Sequence, residues 1–324
     1  MANICVIGAG NIGSRHLQAL AKNSEELLIQ VIDPSADSLL TAKTRYEEID
    51  KGKSKNQVVY LQDLNKIEGP LDIAIIATTS NIRYAIARQL LDKVPVKYII
   101  FEKILFDQSE QYGKMAEFLA QKKCRAWVNC PRRMIPFYKS LKDSVRNTKI
   151  QYAVSGSQWG LACNTIHYID HLSYLTDCYD FEVITDHLDT AIIESRRKGF
   201  LELTGTLFVY FKDGSFSSLA CYPAGNAPSV VQISSDRYRS LTLETEGKSY
   251  ISTPASNWQW KLKETPMLYQ SSMTNLVVSA LVKDGSCDLT PFDLSAKLHL
   301  QLLKPLLEFV NMHSKTKYKN FPFT

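Results

Sequence analysis

The sequence predicts a two-part chain: a doubly wound α/β domain on a mostly parallel sheet, then an α+β domain with a large open antiparallel sheet. Three observations predict it. Residues 1–128 alternate short β-branched runs with segments of helical period, the pattern of a parallel sheet covered on both faces. A glycine triplet, Gly8-Ala9-Gly10-Asn11-Ile12-Gly13, stands between the first such run and the first helix. Beyond residue 149 the rhythm becomes alternating apolar and polar residues, broken by turns such as Lys212-Asp213-Gly214-Ser215.

In chain order, strands are expected at Ile4–Ile7, Leu28–Asp33, Val58–Tyr60, Asp72–Ala77, Lys97–Phe101 and Ala126–Val128. Amphipathic helices are expected at Ile12–Ala21, Ser35–Ile49, Ile82–Leu91 and Ser109–Gln121. In the second part the expected strands are Leu203–Phe211, Phe216–Tyr222, Val230–Ser234, Ser240–Glu244 and Ser249–Thr253, with helices at Leu161–Leu175 and Pro291–Met312. The domain boundary is set at residues 1–128 and 129–324. A chain of 324 residues fits two domains at about 150 residues each.

Charge and composition narrow the functions. Residues 1–128 carry 17 basic and 15 acidic groups and the remainder 21 and 18, so neither half is the basic surface that neutralises a nucleic acid. No apolar run reaches the length of a membrane span, and the start Met1-Ala2-Asn3 lacks a positive segment before its apolar run, so neither a membrane partner nor a signal peptide is expected. Seven cysteines, odd in number and without a Cys-x-x-Cys pair, fit free thiols in a reducing cytoplasm.

The glycine segment has the context that a dinucleotide site requires. Gly8 permits the tight turn, Gly10 lets backbone approach a pyrophosphate, and Gly13 lets the helix pack on the strand. Asn11 and Ile12 open the helix whose free N–H groups face the phosphates. Asp33, 20 residues after Gly13, is placed for the adenosine ribose hydroxyls, which favours NAD without excluding NADP. The loop Ala77, Thr78, Thr79, Ser80, Asn81 follows the fourth strand and is expected to line the same pocket, with Glu102 beyond it. Lys103 ends the fifth strand over the ligand crevice, where a partly desolvated amine can exchange a proton with a ligand.

These segments carry a resemblance. Gly8–Gly13 with Ser14-Arg15-His16-Leu17, the run Ile75-Ile76-Ala77-Thr78, and Glu102-Lys103 together resemble the Gfo/Idh/MocA oxidoreductases over nearly the whole chain. Val128-Asn129-Cys130-Pro131-Arg132-Arg133 and Ile166-His167-Tyr168-Ile169-Asp170 fall where that family's signatures lie. The resemblance implies a Rossmann domain and an open-sheet domain, with hydride transfer between nicotinamide and the carbinol of a sugar, polyol or nucleotide-sugar. A role in surface polysaccharide synthesis is one such expectation. It makes Lys103 the acid/base of a Glu-Lys-Pro motif in which Ile104 replaces proline. His167 falls in an Asp-x-x-x-His signature in which Cys163 replaces the aspartate, leaving Asn164 to bond the substrate.

Around these, Asp170 shares a helix face with His167 and is expected to orient that ring or bind a hydroxyl. Arg133 is a candidate for holding a carboxylate or diphosphate. His167 and His171 have i, i+4 spacing that can bind zinc, but no third ligand is evident and no metal is expected. The open sheet needs cover, so a homodimer or homotetramer is expected. The alternative function is a non-catalytic dinucleotide- or sugar-binding sensor on the same fold, which the changes at Ile104 and Cys163 favour. A third reading keeps the fold and changes the substrate to a tetrapyrrole or imine.

Overall fold

Strand β1 (Ala2–Ile7) is apolar and buried from Ile4 onward, and it lies at the centre of the first sheet. The computed structural model describes residues 1–50, 52 and 54–324. After β1 come α1 (Asn11–Leu20), β2 (Leu27–Ile32), α2 (Ala36–Glu47), β3 (Gln57–Leu61), β4 (Leu71–Ile76), α3 (Ser80–Lys93), β5 (Val96–Phe101), α4 (Ser109–Gln121) and β6 (Arg125–Val128). Each expected strand and helix of this part is found, with ends moved by one or two residues. β1, β2, β4 and β5 are buried almost without interruption, as a sheet covered on both faces demands, whereas edge strand β3 carries exposed positions.

The middle of the chain forms α5 (Pro136–Ser144), β7 (Gln151–Ser157), α6 (Leu161–Thr176), β8 (Phe181–Ile184), β9 (Ile193–Glu194), β10 (Leu201–Glu202), β11 (Gly205–Phe211), β12 (Phe216–Tyr222), β13 (Val230–Ser234), β14 (Arg239–Leu243), β15 (Lys248–Ser252) and β16 (Lys261–Glu264). The chain then forms α7 (Thr274–Asp284), β17 (Thr290–Pro291) and α8 (Phe292–His313).

Two compact units result, Met1–Asn129 with Leu268–Asp293, and Cys130–Met267 with Leu294–Thr324. This differs from a single cut after residue 128. The segment 268–293 joins the first unit because β17 pairs antiparallel with β6 (Thr290 opposite Val128) and because α7 is tethered to the loop before β2. There Glu25 accepts from Ser279 Oγ at 2.7 Å and from Lys283 Nζ at 3.0 Å. Partial burial would raise the Glu25 carboxyl, but these two bonds hold it down at about 2.

In the first unit the strand order is β17-β6-β5-β4-β1-β2-β3, and every pair but β17–β6 is parallel. Registers Ile7–Ile32, Ile7–Ile76, Ile76–Phe101 and Phe101–Val128 bring the carboxyl ends of five strands level. The segments that follow them, Gly8–Gly10, Asp33, Ala77–Thr79, Glu102–Lys103 and Asn129, therefore emerge along one edge. The order reverses between β4 and β1, the switch point at which an open α/β sheet forms its ligand crevice.

In the second unit eight strands run β16-β15-β14-β13-β7-β12-β11-β8. All pairs are antiparallel except β7–β12, because β7, absent from the sequence expectation, inserts at the centre alongside β12. The alternation Ser-x-Ser in β7 and its weak hydropathy hide it from a reading by apolar runs. The hairpin β11–β12 turns where expected, with Gly214 at φ +88° and Asp213 accepting from Ser215 N at 2.9 Å. One sheet face packs on its own core, with Leu207, Val209, Leu219, Val231 and Ile233 fully buried. The registers place Tyr210, Phe216, Tyr222, Leu241, Tyr250 and Leu262 on the opposite face. Four of these, Tyr210, Tyr222, Tyr250 and Leu262, are exposed. No described helix is long and apolar enough to cross a membrane.

Close packing at the first turn yields a direct test. A Cβ on Gly13 would lie 1.7 Å from the Gly8 carbonyl oxygen. Gly13→Ala should therefore lower stability by about 1–3 kcal/mol or more and weaken NAD binding. Thermal unfolding and calorimetric titration with NAD measure both effects.

Candidate active site

The nucleotide half of the site is backbone supplied by the glycine loop. Gly8 adopts φ +93°, and a Cβ there would press within 3.1 Å of the Ala77 and Thr78 backbone, so only glycine lets the two loops meet. A Cβ on Gly10 would meet nothing within 4 Å, which leaves the space over this turn open to a ligand. Helix α1 starts at Asn11 without a side-chain cap and without an acidic residue in its first turn. Its first N–H groups and dipole end are thus available to phosphate. Asp33, half-buried at the end of β2, accepts from Ala9 N at 2.7 Å and from Ser35 N at 2.9 Å. One carboxylate thereby holds the glycine loop and stands at the expected ribose position. Thr79 Oγ1 donates to Asn81 Oδ1 at 2.7 Å, shaping the second loop. These features fit a dinucleotide.

The chemistry half begins at Glu102. Its carboxylate is buried, and His16 Nε2 donates to it at 2.8 Å from helix α1. Asn129 Nδ2, just past β6, donates to the same oxygen. With its proton on Nε2, the His16 ring accepts at Nδ1 from Thr274 Oγ1 at 2.8 Å. Gln270 closes the network by accepting from Asn129 Nδ2 at 2.7 Å. Burial would raise the Glu102 carboxyl, but the His16 and Asn129 hydrogen bonds and the nearby Arg83 charge outweigh it and hold it below the usual carboxylate range. Expected at the cofactor, Glu102 thus spends its side chain on anchoring the end of β5. Lys103 follows. From Phe101 to Asp107 every other residue is buried, and Lys103 alone is half-exposed. The Lys103–Ile104 peptide is cis, and Ile104, standing at the proline position, is fully buried.

The second unit places the remaining expected residues on and around α6. This helix is buried over its first three turns except at Cys163, Asn164 and His167. At i, i+1 and i+4 those three form one accessible stripe. The helix start is held by a carboxylate from β10: Glu202 accepts from Ala162 N at 2.5 Å, from Cys163 N at 3.4 Å and from Leu203 N at 3.0 Å. Asn164 Nδ2 donates to the Trp159 carbonyl at 2.6 Å, fixing its amide at the opening of the helix. Asp170 is fully buried, and both its oxygens accept from Arg133, Nε at 3.0 Å and Nη2 at 3.1 Å. The two residues expected to bind ligand separately are brought together as an ion pair.

Arg132 is likewise engaged, donating to both Glu244 oxygens at 2.5 and 3.0 Å with its guanidinium 4.0 Å from the Tyr168 ring centre. His171 sits in the core, 3.0 Å from Tyr152 Oη and against the Tyr138 ring. Burial and the Arg132 charge hold its pKa well below the usual histidine value. Among the described residues no group of three or more His, Cys, Asp or Glu is placed to hold a metal ion. Sequence reasoning passed over Glu202, His16 as a partner of Glu102, and Arg83. No local pattern marks Glu202, because its role exists only once β10 meets the α6 terminus.

A glycine-loop nucleotide site on a parallel sheet, a lysine at the carboxyl end of β5, and an open-sheet unit define a class, the two-domain NAD-binding oxidoreductases. Residues 2–130 match the Gfo/Idh/MocA family model, described as "Oxidoreductase family, NAD-binding Rossmann fold". No curated protein sequence matches the chain. Among solved structures it is similar to UDP-N-acetylglucosamine 3-dehydrogenase from Acidithiobacillus ferrooxidans, at 11% identity and TM-score 0.72, covering 94% of this chain and 96% of that one. An oxidoreductase from Agrobacterium radiobacter in complex with NAD+, L-tartaric acid and magnesium is 14% identical, with TM-score 0.71 and coverage of 93% and 94%. Biliverdin reductase from Synechocystis sp. PCC 6803, in complex with biliverdin and NADP+, is 10% identical, with TM-score 0.69 and coverage of 94% and 98%. At these identities the likeness concerns the fold, which the three share across almost their whole length.

The Glu102 network sets an acid dependence. A carboxyl held below its unfolded value stabilises the fold above the ordinary glutamate range and loses that contribution as pH falls through the folded value. Unfolding free energy should therefore decline on the acid side of that range. Glu102→Gln should lower stability at pH 7 and flatten the acid limb, as read from denaturant melts across pH.

Proposed function

We propose that the protein interconverts a secondary alcohol and a ketone on a neutral sugar or polyol, with Lys103 moving the hydroxyl proton. Bound NAD takes or supplies the hydride. In the oxidative direction the neutral Lys103 amine accepts the hydroxyl proton as the carbon–oxygen double bond forms; in reduction the ammonium returns it. In the second unit, His167 and Asn164 offer an imidazole and an amide that can hydrogen-bond the hydroxyls of such a ligand. Arg133 and Asp170 act as a pair that sets the face of α6.

The observation that carries this reading is the burial pattern of 101–107, in which Lys103 is the one half-exposed residue of an anchored segment at the carboxyl edge of a dinucleotide-binding sheet. The stripe Cys163, Asn164, His167 supports the second half of it. A neutral substrate is preferred to a nucleotide-sugar because the Arg132 and Arg133 charges are already matched by Glu244 and Asp170. A diphosphate would have to displace buried partners, at a cost of several kcal/mol. The exposed Tyr210, Tyr222, Tyr250 and Leu262 on one sheet face support self-association of two copies through that face.

Two measurements test the reading. With a panel of sugars and polyols followed at 340 nm, Lys103→Ala should lower turnover by about 10²–10⁴-fold while NAD affinity stays near that of the wild type. Wild-type turnover in that variant, or no turnover by the wild type on any carbinol, defeats it; the second outcome would favour a sensor. In sedimentation equilibrium, Tyr250→Asp combined with Leu262→Asp should reduce the wild-type mass to that of one chain, and an unchanged mass would remove the sheet face as the interface.

A further inference from the structure

Arg83 is the largest fully buried side chain of the protein, 1% exposed in the first turn of α3. A guanidinium taken out of water needs an acceptor for its donors. Here the acceptors are backbone carbonyls from two separate segments. The two N–H groups of Nη1 are shared among three carbonyls, that of Glu102 at 2.7 Å, that of Leu105 at 3.0 Å, and that of Ile104. Nη2 donates to the carbonyl of Thr78 in the loop after β4. The carbonyls of Glu102 and Ile104 flank Lys103 on both sides. Thr78 belongs to the loop whose backbone touches Gly8.

We infer that Arg83 is a positioning residue that fastens the Lys103 segment to the nucleotide loop, so that the amine is held in register with the bound dinucleotide. The planar fork suits this task because its donors diverge in fixed directions. One side chain can therefore serve the carbonyls of 102, 104 and 105 and still reach Thr78. Lysine would carry the charge but could not bridge both segments. The side chain acts through backbone and meets no substrate. The inference rests on the proposed function only for the proton-transfer role of Lys103.

The test reads Lys103 directly and needs no substrate. Wild type, Arg83→Lys and Arg83→Gln are pulsed with acetic anhydride across pH 7–10, with and without NAD+, and acetylation of each lysine is quantified by peptide mass spectrometry. Lys97, exposed on β5, serves as the internal control. The expected result is a variant with wild-type circular dichroism that still binds NAD+ but whose Lys103 acetylation rate is altered by about tenfold. In such a variant the NAD+ shielding of Lys103 is lost and Lys97 is unchanged. A Lys103 profile superimposable on the wild type in a folded variant overturns the inference. Failure of both variants to fold also overturns it, because Arg83 would then serve folding as a whole. If NAD+ does not shield Lys103 in the wild type, the proposed function fails instead. The rate without NAD+ then decides the Arg83 assignment alone, an altered rate upholding it and an unaltered rate overturning it.

Discussion

A carboxylate buried at the end of β5 organises the first unit. Glu102 cannot lose its water without replacement partners, and its side chain finds them in two separate parts of the sequence, which a third supports. His16 reaches it from α1, Asn129 from the end of β6, and the return segment contributes Thr274 and Gln270 one bond further out. The same carboxylate that ends a strand thus ties the dinucleotide-binding helix to a segment more than 160 residues away in the chain. Lys103 inherits its position from that anchorage. Its neighbours on both sides are buried, and Lys103 between them is half-exposed.

The second unit solves a related problem with ion pairs. Arg132 and Arg133 are adjacent in sequence, yet their side chains go to different carboxylates, Glu244 beyond β14 and Asp170 on α6. Pairing satisfies both charges inside the unit and joins the segment after β6 to the sheet and to the helix. Replacing one member of the Arg133–Asp170 pair would strand a buried charge, which costs far more than the pair contributes. Over the first three turns of α6, the residues left half-exposed are Cys163, Asn164 and His167.

The nucleotide site was readable because its determinants are local. Gly8, Gly10 and Gly13 answer steric demands that arise within six residues, and Asp33 follows at the distance that one helix and one strand impose. The parallel sheet was readable for a similar reason: continuous β-branched burial is written strand by strand, and the register then brings the strand ends level without further information. The hairpin at Asp213-Gly214 belongs to the same class. In contrast β7, half Ser and Gly, earns its central place from its neighbours β12 and β13 rather than from its own apolarity.

What only the tertiary structure decided is which polar groups meet. Arg133 and Asp170 each qualify as ligand-binding residues on sequence, and they neutralise each other once α6 packs beside the segment after β6. Glu202 looks like any strand residue until it closes the N-terminus of α6, near the position where the family's aspartate is replaced by Cys163. The segment 268–293 carries no composition shift, yet strand pairing and the Glu25 tether assign it to the first unit. Backbone conformation and hydrophobic period are properties of neighbouring residues, so the sequence determined the fold class and the dinucleotide site. A buried charge selects its partner by proximity in space, and that information exists only after the chain has folded.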